Sequence, residues 1–152
     1  MKSCIVLYDG ISMLSFAKIY DFFIANSVDF EVTSLREEVT CEGSFKLNSP
    51  NYSQSLYGYD IVVFPDGTGA LNLSYDNIFL SWIKSANDAK IKIAINRASL
   101  IIKEAGLFHR QLFMNDGKAT AICEFCVDKD VISMADTSAS WQELKEWIKS
   151  RV

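Results

Sequence analysis

The chain has 152 residues, 49% of them hydrophobic and 22% charged, with a formal net charge of −4. That length suits one domain with a substantial core, burying roughly 70% of the surface of the unfolded chain, and the composition excludes large-scale disorder. The acidic balance, with no basic cluster anywhere, excludes a dedicated nucleic-acid binder, and no apolar run approaches the roughly 20 residues that span a bilayer.

Met1-Lys2-Ser3 runs straight into Cys4–Tyr8, with no signal-peptide core or small-residue cleavage site, so a cytoplasmic location is expected. Cys4–Tyr8 reads as a buried strand ended by the turn pair Asp9-Gly10. From Ser12 the pattern turns helical, with Met13, Phe16, Ala17, Tyr20, Phe23 and Ile24 at three- and four-residue steps and Asn26-Ser27 as the stop. Phe30–Leu35 alternates as a sheet-edge strand does, and strand, helix, strand implies a right-handed parallel crossover. Residues 36–59 are irregular; Val39–Cys41 and Ser44–Leu47 around Glu42-Gly43 form either a small hairpin or a surface excursion.

Asp60–Phe64 is a wholly apolar strand after its first residue, closed by Pro65-Asp66-Gly67-Thr68-Gly69, where proline stops the strand and the glycines free the backbone. Asp76–Ala86 reads as a helix with Ile78, Phe79, Trp82 and Ile83 inward. Ile91–Ile95 is a short β-branched strand followed by a helix bearing Ala98, Leu100, Ile101, Ile102 and Ala105, with Gly106 as its left-handed cap. Asn96 is left at the corner between them, where many α/β enzymes hold a nucleophile. A carboxamide there cannot attack at useful rates. Asn is, however, the non-glycine residue that best tolerates the positive φ of such a corner.

A turn at Asn115-Asp116-Gly117, a strand over Lys118–Val127, the tight connection Asp128-Lys129-Asp130 and a last strand Val131–Met134 follow. The final helix buries Trp141, Leu144, Trp147 and Ile148, with Ser140 and Glu143 as a capping box. The product is one three-layer α/β domain over residues 1–152, with helices on both faces of a mostly parallel sheet. Cys123 and Cys126 have redox-motif spacing, but residues three apart on a strand face opposite sides, so they read as small hydrophobes. With one histidine, His109, no metal site is expected, nor any cofactor.

Four segments resemble the DJ-1/PfpI (ThiJ-like) superfamily, related to class I glutamine amidotransferases. Ile5–Gly10 with its helix resembles the family's opening strand and acid-bearing helix. Tyr59–Gly67 resembles its Y-D-x-x-x-x-P-G-G segment. Ala94–Ser99 with Lys103–Leu107 resembles its strand-Cys-x-G-A elbow and A-G-L-L tail, and Asp130–Asp136 its late D-G-x-x-x-T-S-x-G segment. The resemblance implies a flavodoxin-like three-layer sandwich and a homodimer. It also places the nucleophilic cysteine on Asn96, the partner carboxylate on Ser15 and the first glycine of P-G-G on Asp66, with Gly67 kept and Arg97 after the nucleophile position.

Two losses at interacting positions imply that cysteine-nucleophile chemistry is gone. Asp9, Ser15, Asp66, Asn96 and Arg97 are expected to rim the crevice at the strand C-termini. Asp66 and Arg97 either pair there or point apart. Asn96, Arg97, Gly67, Asp66 and Ser15 are the expected ligand-binding residues, for a small anionic or carbonyl compound, with no nucleic-acid or membrane partner. Exposed Tyr52, Tyr57, Tyr59, Tyr75 and Phe113 are alternative interaction handles. The rival reading is a hydrolase, glyoxalase or isocyanide-hydratase-like enzyme working without the usual cysteine, through Asp66, a buried Cys4 or an exposed Cys41.

Overall fold

A computed structural model describes residues 1–109 and 124–151. Its elements are β1 (Ser3–Leu7), α1 (Met13–Ala25), β2 (Phe30–Ser34), β3 (Glu38–Thr40), β4 (Lys46–Asn48), β5 (Asn51–Tyr52), β6 (Ile61–Phe64), α2 (Gly69–Leu73), α3 (Asn77–Lys84), β7 (Ile91–Ile95), α4 (Ser99–Glu104), β8 (Phe125–Asp128), β9 (Val131–Met134) and α5 (Ser138–Lys149). Seven strands form one sheet in the order β5-β2-β1-β6-β7-β9-β8. All its pairs are parallel except β8 with β9. This is the α/β layering that the alternation of strands and helices implies, in the flavodoxin-like form that the family resemblance implies.

The central strands are buried along their whole length because both faces are covered. Ile5, Ile61, Val63, Ile93, Ile95 and Met134 face one core, closed by Ile19 and Phe23 of α1 and by Leu144 and Ile148 of α5. Cys4, Val6, Val62, Phe64 and Ala94 face the other, closed by Phe79, Trp82 and Ile83 of α3 and by Ile101 and Ile102 of α4. Cys4 is therefore core. Burial, and next the Glu31 charge, push its thiol far above the ordinary range.

Residues 38–48 form the hairpin rather than the unstructured excursion: β3 and β4 pair antiparallel across the turn Glu42–Ser44. Among the described residues, α2 and the two-residue β5, which pairs outside β2, have no counterpart in the sequence reading. Three helix assignments need correction. On α1 the core face is Ser15, Ile19 and Phe23, while Met13, Tyr20 and Ile24 are exposed. Apolar residues recur at helical spacing on both faces of this helix, so periodicity alone could not choose between them. On α3, Ile78 is exposed and Leu80 takes an inward place.

The last helix starts earlier than the proposed capping box. Its cap is Thr137, whose hydroxyl accepts from Ser140 N, and Ser140 is buried with its own hydroxyl on Glu124 O. Trp141 and Trp147 are only half-buried. Of the strand expected over 118–127, β8 contains 125–127; residues 118–123, the turn 115–117, Phe113 and Cys123 lie outside the described residues. Cys126 is buried in β8.

Two turns meet at the C-terminal edge of the sheet, backbone against backbone. Gly69 N donates to Gly10 O at 3.1 Å, and Ile11 bridges Gly67. A Cβ on Gly69 would stand 1.9 Å from Asp9 O, so this residue is glycine because no other fits. That contact seats the end of β6 against the start of α1 and sets the geometry of the crevice.

Candidate functional site

The crevice is built on the ends of β6 and β7. After Ile95 the chain turns through Asn96 at φ 50° and continues as a single tight turn, Asn96–Ala98, into α4. Asn96 is thus the strained corner its position implied. Its carboxamide is used on both sides: Oδ1 accepts from Asp136 N at 3.0 Å, and Nδ2 reaches Asp66 Oδ2 at 3.5 Å. The corner residue ties together the ends of β6, β7 and β9.

Asp66 and Arg97 pair. Arg97 Nε lies 2.9 Å from Asp66 Oδ1, Nη2 lies 3.0 Å from Oδ2, and Arg97 N donates to Oδ1 at 3.1 Å. Such a two-pronged, charge-assisted contact is among the stronger hydrogen-bond geometries available to a protein. Burial would push the Asp66 carboxyl up; the Arg97 hydrogen bonds and charge, with Asn96 adding, outweigh it and hold the carboxyl below its ordinary 3.8. The same contacts raise the Arg97 guanidinium.

Ser15 stands where the partner carboxylate was expected, buried on the first turn of α1, and its hydroxyl accepts from Asp66 N at 2.8 Å. Asp66 O in turn accepts from Ser12 N at 2.9 Å. Gly67 lies against Gly10 and Ile11 beside the crevice. Asp9 points away from this cluster, accepting from Thr40 N at 2.9 Å and so holding the hairpin.

Glu42, Tyr8 and Asp136 join the site without having been singled out. Glu42 Oε2 accepts from Thr68 N at 2.7 Å and lies 3.6 Å from Arg97 Nη2. No sequence pattern marks it, because only the docking of the hairpin brings residue 42 to residue 97. The buried Tyr8 hydroxyl donates to Pro65 O, and burial, then the nearby Asp66 charge, push it up. Its place at the C-terminal end of β1 was a usable signal. Asp136 sits in one of the family-like segments; its carboxylate takes Lys18 Nζ at 3.0 Å and Trp141 Nε1 at 2.7 Å.

The remaining candidates lie elsewhere. Cys41 is buried, not exposed, and burial followed by the Asp9 charge raises its thiol. His109 Nε2 is 2.7 Å from Asp130 Oδ1. That carboxylate also receives the fully buried Lys92 at 2.7 Å, at the N-terminal edge of the sheet, opposite the corner. Tyr52, Tyr57 and Tyr75 are exposed, whereas Tyr59 is half-buried and donates to Glu31 at 2.5 Å. Among the described residues no group of three or more His, Cys, Asp or Glu is placed to hold a metal, and no helix is long and apolar enough to cross a membrane.

At this crevice, then, stand the Arg97 guanidinium, the Asp66 and Glu42 carboxylates and the Asn96 carboxamide, with the backbone N–H groups of Asp66, Thr68 and Arg97 bonded to Ser15, Glu42 and Asp66. Among the described residues no cysteine stands in this group.

Similar architectures occur among solved structures at low sequence identity. Schizosaccharomyces pombe DJ-1 superposes with a TM-score of 0.77 at 14% identity, over 100% of this chain and 92% of that one. A ThiJ/PfpI domain protein from Brachyspira murdochii gives 0.77 at 12% identity, covering 99% and 98% of the two chains. The oxidized DJ-1 of Toxoplasma gondii gives 0.73 at 15%, covering 98% and 89%. The chain has the fold of the DJ-1 and ThiJ/PfpI proteins. A scan against protein-family models finds no match, and neither does a search of curated proteins.

Two substitutions probe the corner. Asn96→Ala removes both amide contacts and places a residue poorly suited to positive φ there, at a cost of about 2 kcal/mol. Asn96→Gly loses the contacts but not the backbone fit, and is expected to unfold at a urea concentration between those of Asn96→Ala and the wild type. The second test is acid. A carboxyl held below its ordinary range stabilises the fold fully above that range and loses this contribution as pH falls through its folded value. Unfolding by acid from about pH 4 downward is therefore expected to have a shallower pH dependence in Asp66→Asn than in the wild type, the contributions of Asp60 and Asp130 being common to both proteins.

Proposed function

We propose that this chain is a DJ-1/PfpI-type protein, one domain over residues 1–152, whose corner site binds a small anionic or carbonyl compound without covalent chemistry. The observation that carries this reading is Asn96. The residue at the corner is not a nucleophile, and its carboxamide holds Asp136 and Asp66 in place. Arg97, a third exposed, is the cation of the crevice, paired with Asp66 and facing Glu42 at 3.6 Å, so a bound anion shares it with them. The ligand-binding set is Asn96, Arg97, Gly67, Asp66 and Ser15, with Ser15 acting through Asp66.

The rival reading, an enzyme of the hydrolase, glyoxalase or hydratase kind, needs an attacking or proton-transferring group at this crevice. Asp66 and Glu42 are the carboxylates there; the pairing of Asp66 with Arg97 works against a role as general base by holding it ionised and weakly basic, and Glu42 Oε2 is engaged by Thr68 N–H. Incubation of the purified protein with methylglyoxal, a fluorogenic peptide amide and an alkyl isocyanide is expected to give no turnover above buffer. Turnover that disappears in Asn96→Ala would overturn the non-covalent reading.

A homodimer is part of the same proposal. Met13, Ala17, Tyr20 and Ile24 lie on one outward stripe of α1 at steps of four, three and four residues, all of them exposed, with Leu14 beside them. Two such stripes crossing at the small Ala17 would make a self-complementary, two-fold contact. Light scattering is expected to report a dimer for the wild type and a monomer for Ile24→Glu, with unchanged circular dichroism; a monomeric wild type would remove this part.

A further inference from the structure

We propose that Glu42 is a built-in competitor for the anion site at Arg97, so that a small monocarboxylate binds only by displacing the Glu42 side chain. The inference rests on the reading above that the corner recognises anions, and it adds how access is controlled.

The Arg97 guanidinium serves two carboxylates unequally. Asp66 takes it at 2.9 and 3.0 Å and has a side chain only 13% exposed. Glu42 lies at 3.6 Å, with 32% of its own side chain and 35% of Arg97 exposed to solvent. Asp66 is also fixed at its backbone by Ser15 and Ser12, and its carboxylate by the Arg97 N–H. It belongs to the wall. Glu42 belongs to the opening.

A single oxygen, Glu42 Oε2, bridges two donors delivered by different strand ends: Thr68 N–H at 2.7 Å and Arg97 Nη2. An oxygen of an external carboxylate in that position would meet the same N–H and the same charge. Displacement is cheap in backbone terms. Glu42 N stays bonded to Ile11 O at 2.9 Å, and the hairpin keeps its hold through Gly10 N on Thr40 O at 2.7 Å and Thr40 N on Asp9. Only a half-buried side chain needs to change rotamer, giving up its contacts with Thr68 N–H and Arg97.

The charge balance selects the ligand class. Asp66 already neutralises Arg97, and the released Glu42 remains close by on its turn, so added negative charge is opposed, and a dianion such as phosphate is opposed more strongly than a monoanion. A singly charged carboxylate replaces Glu42 one for one. The cost of expelling Glu42 lowers the apparent affinity of the wild type by the fraction of time the site is free. Removing the charge of Glu42, while Gln can still accept from Thr68 N, is expected to raise that affinity about tenfold.

The test is a titration of the full chain with sodium acetate, followed by the backbone amide shifts of Thr68 and Arg97 in 15N-resolved spectra, at constant ionic strength. Wild type, Glu42→Gln and Glu42→Ala are compared, with neutral acetamide as the control for charge. The expected result is saturable binding of acetate to all three, about tenfold tighter in both variants, with no response to acetamide. Equal acetate affinity in wild type and variants would overturn the competitor role while leaving the anion site intact. An absence of saturable shifts in all three proteins would overturn the anion-site reading, and this inference with it.

Discussion

The contact on which the crevice depends is the pairing of the Asp66 carboxylate with the Arg97 guanidinium and backbone N–H. It joins the ends of two adjacent parallel strands, β6 and β7, at the level where each chain leaves the sheet. Asn96 extends the tie to Asp136 beyond β9, and Ser15 extends it to α1. Four elements thereby meet on a few polar groups. A site held in this way is rigid at its base, and its exposed rim is contributed by a hairpin whose only side chain on Arg97 is Glu42.

Such a cluster is not chiefly a source of stability. Taking charges out of water costs free energy that their attraction only partly offsets, and breaking one partner is costly mainly because the other is left uncompensated. Its effect is geometric: it leaves few positions available to the guanidinium and orients the corner amide. The bulk of the fold rests instead on the two apolar layers either side of the sheet. A second polar knot, Lys92 with Asp130 and His109, sits at the far edge of the same strands. There Lys92 Nζ also satisfies the carbonyls of Asn87 and Ala89, so a fully buried ammonium is paired rather than stranded. His109 belongs to that edge and not to the crevice.

Identity of 12–15% with TM-scores of 0.73–0.77 separates what the architecture requires from what a site requires. Buried strands accept any β-branched or small apolar residue, so the layers persist while their residues change. The backbone contact of Gly69 with Asp9 and Gly10 admits no such freedom. A shared fold does not by itself transfer function. At Asn96 the two demands separate: φ 50° suits asparagine on backbone grounds, while its carboxamide bonds Asp66 and Asp136.

Sequence by itself determined the strands from Ile61 to Phe64, Ile91 to Ile95 and Val131 to Met134, the corner at Asn96 and the stop at Gly106, because each is written in a local signal: a β-branched run, a turn pair or a residue tolerant of positive φ. It placed Asp9, Ser15, Asp66, Asn96 and Arg97 at one crevice, since the C-terminal ends of parallel strands converge; Asp9 instead turns to Thr40 N. It could not orient α1, where both faces carry apolar residues at helical spacing, and it put the final cap three residues late, since Ser140 and Thr137 are equally plausible until Ser140 is seen to be buried. Whether Asp66 met Arg97 or turned away was open, and Glu42 carried no mark at all. Those were decided by tertiary structure, because the contacts span 31 residues for Asp66–Arg97 and 26 for Glu42–Thr68, distances over which no local pattern reports what the folded chain brings together.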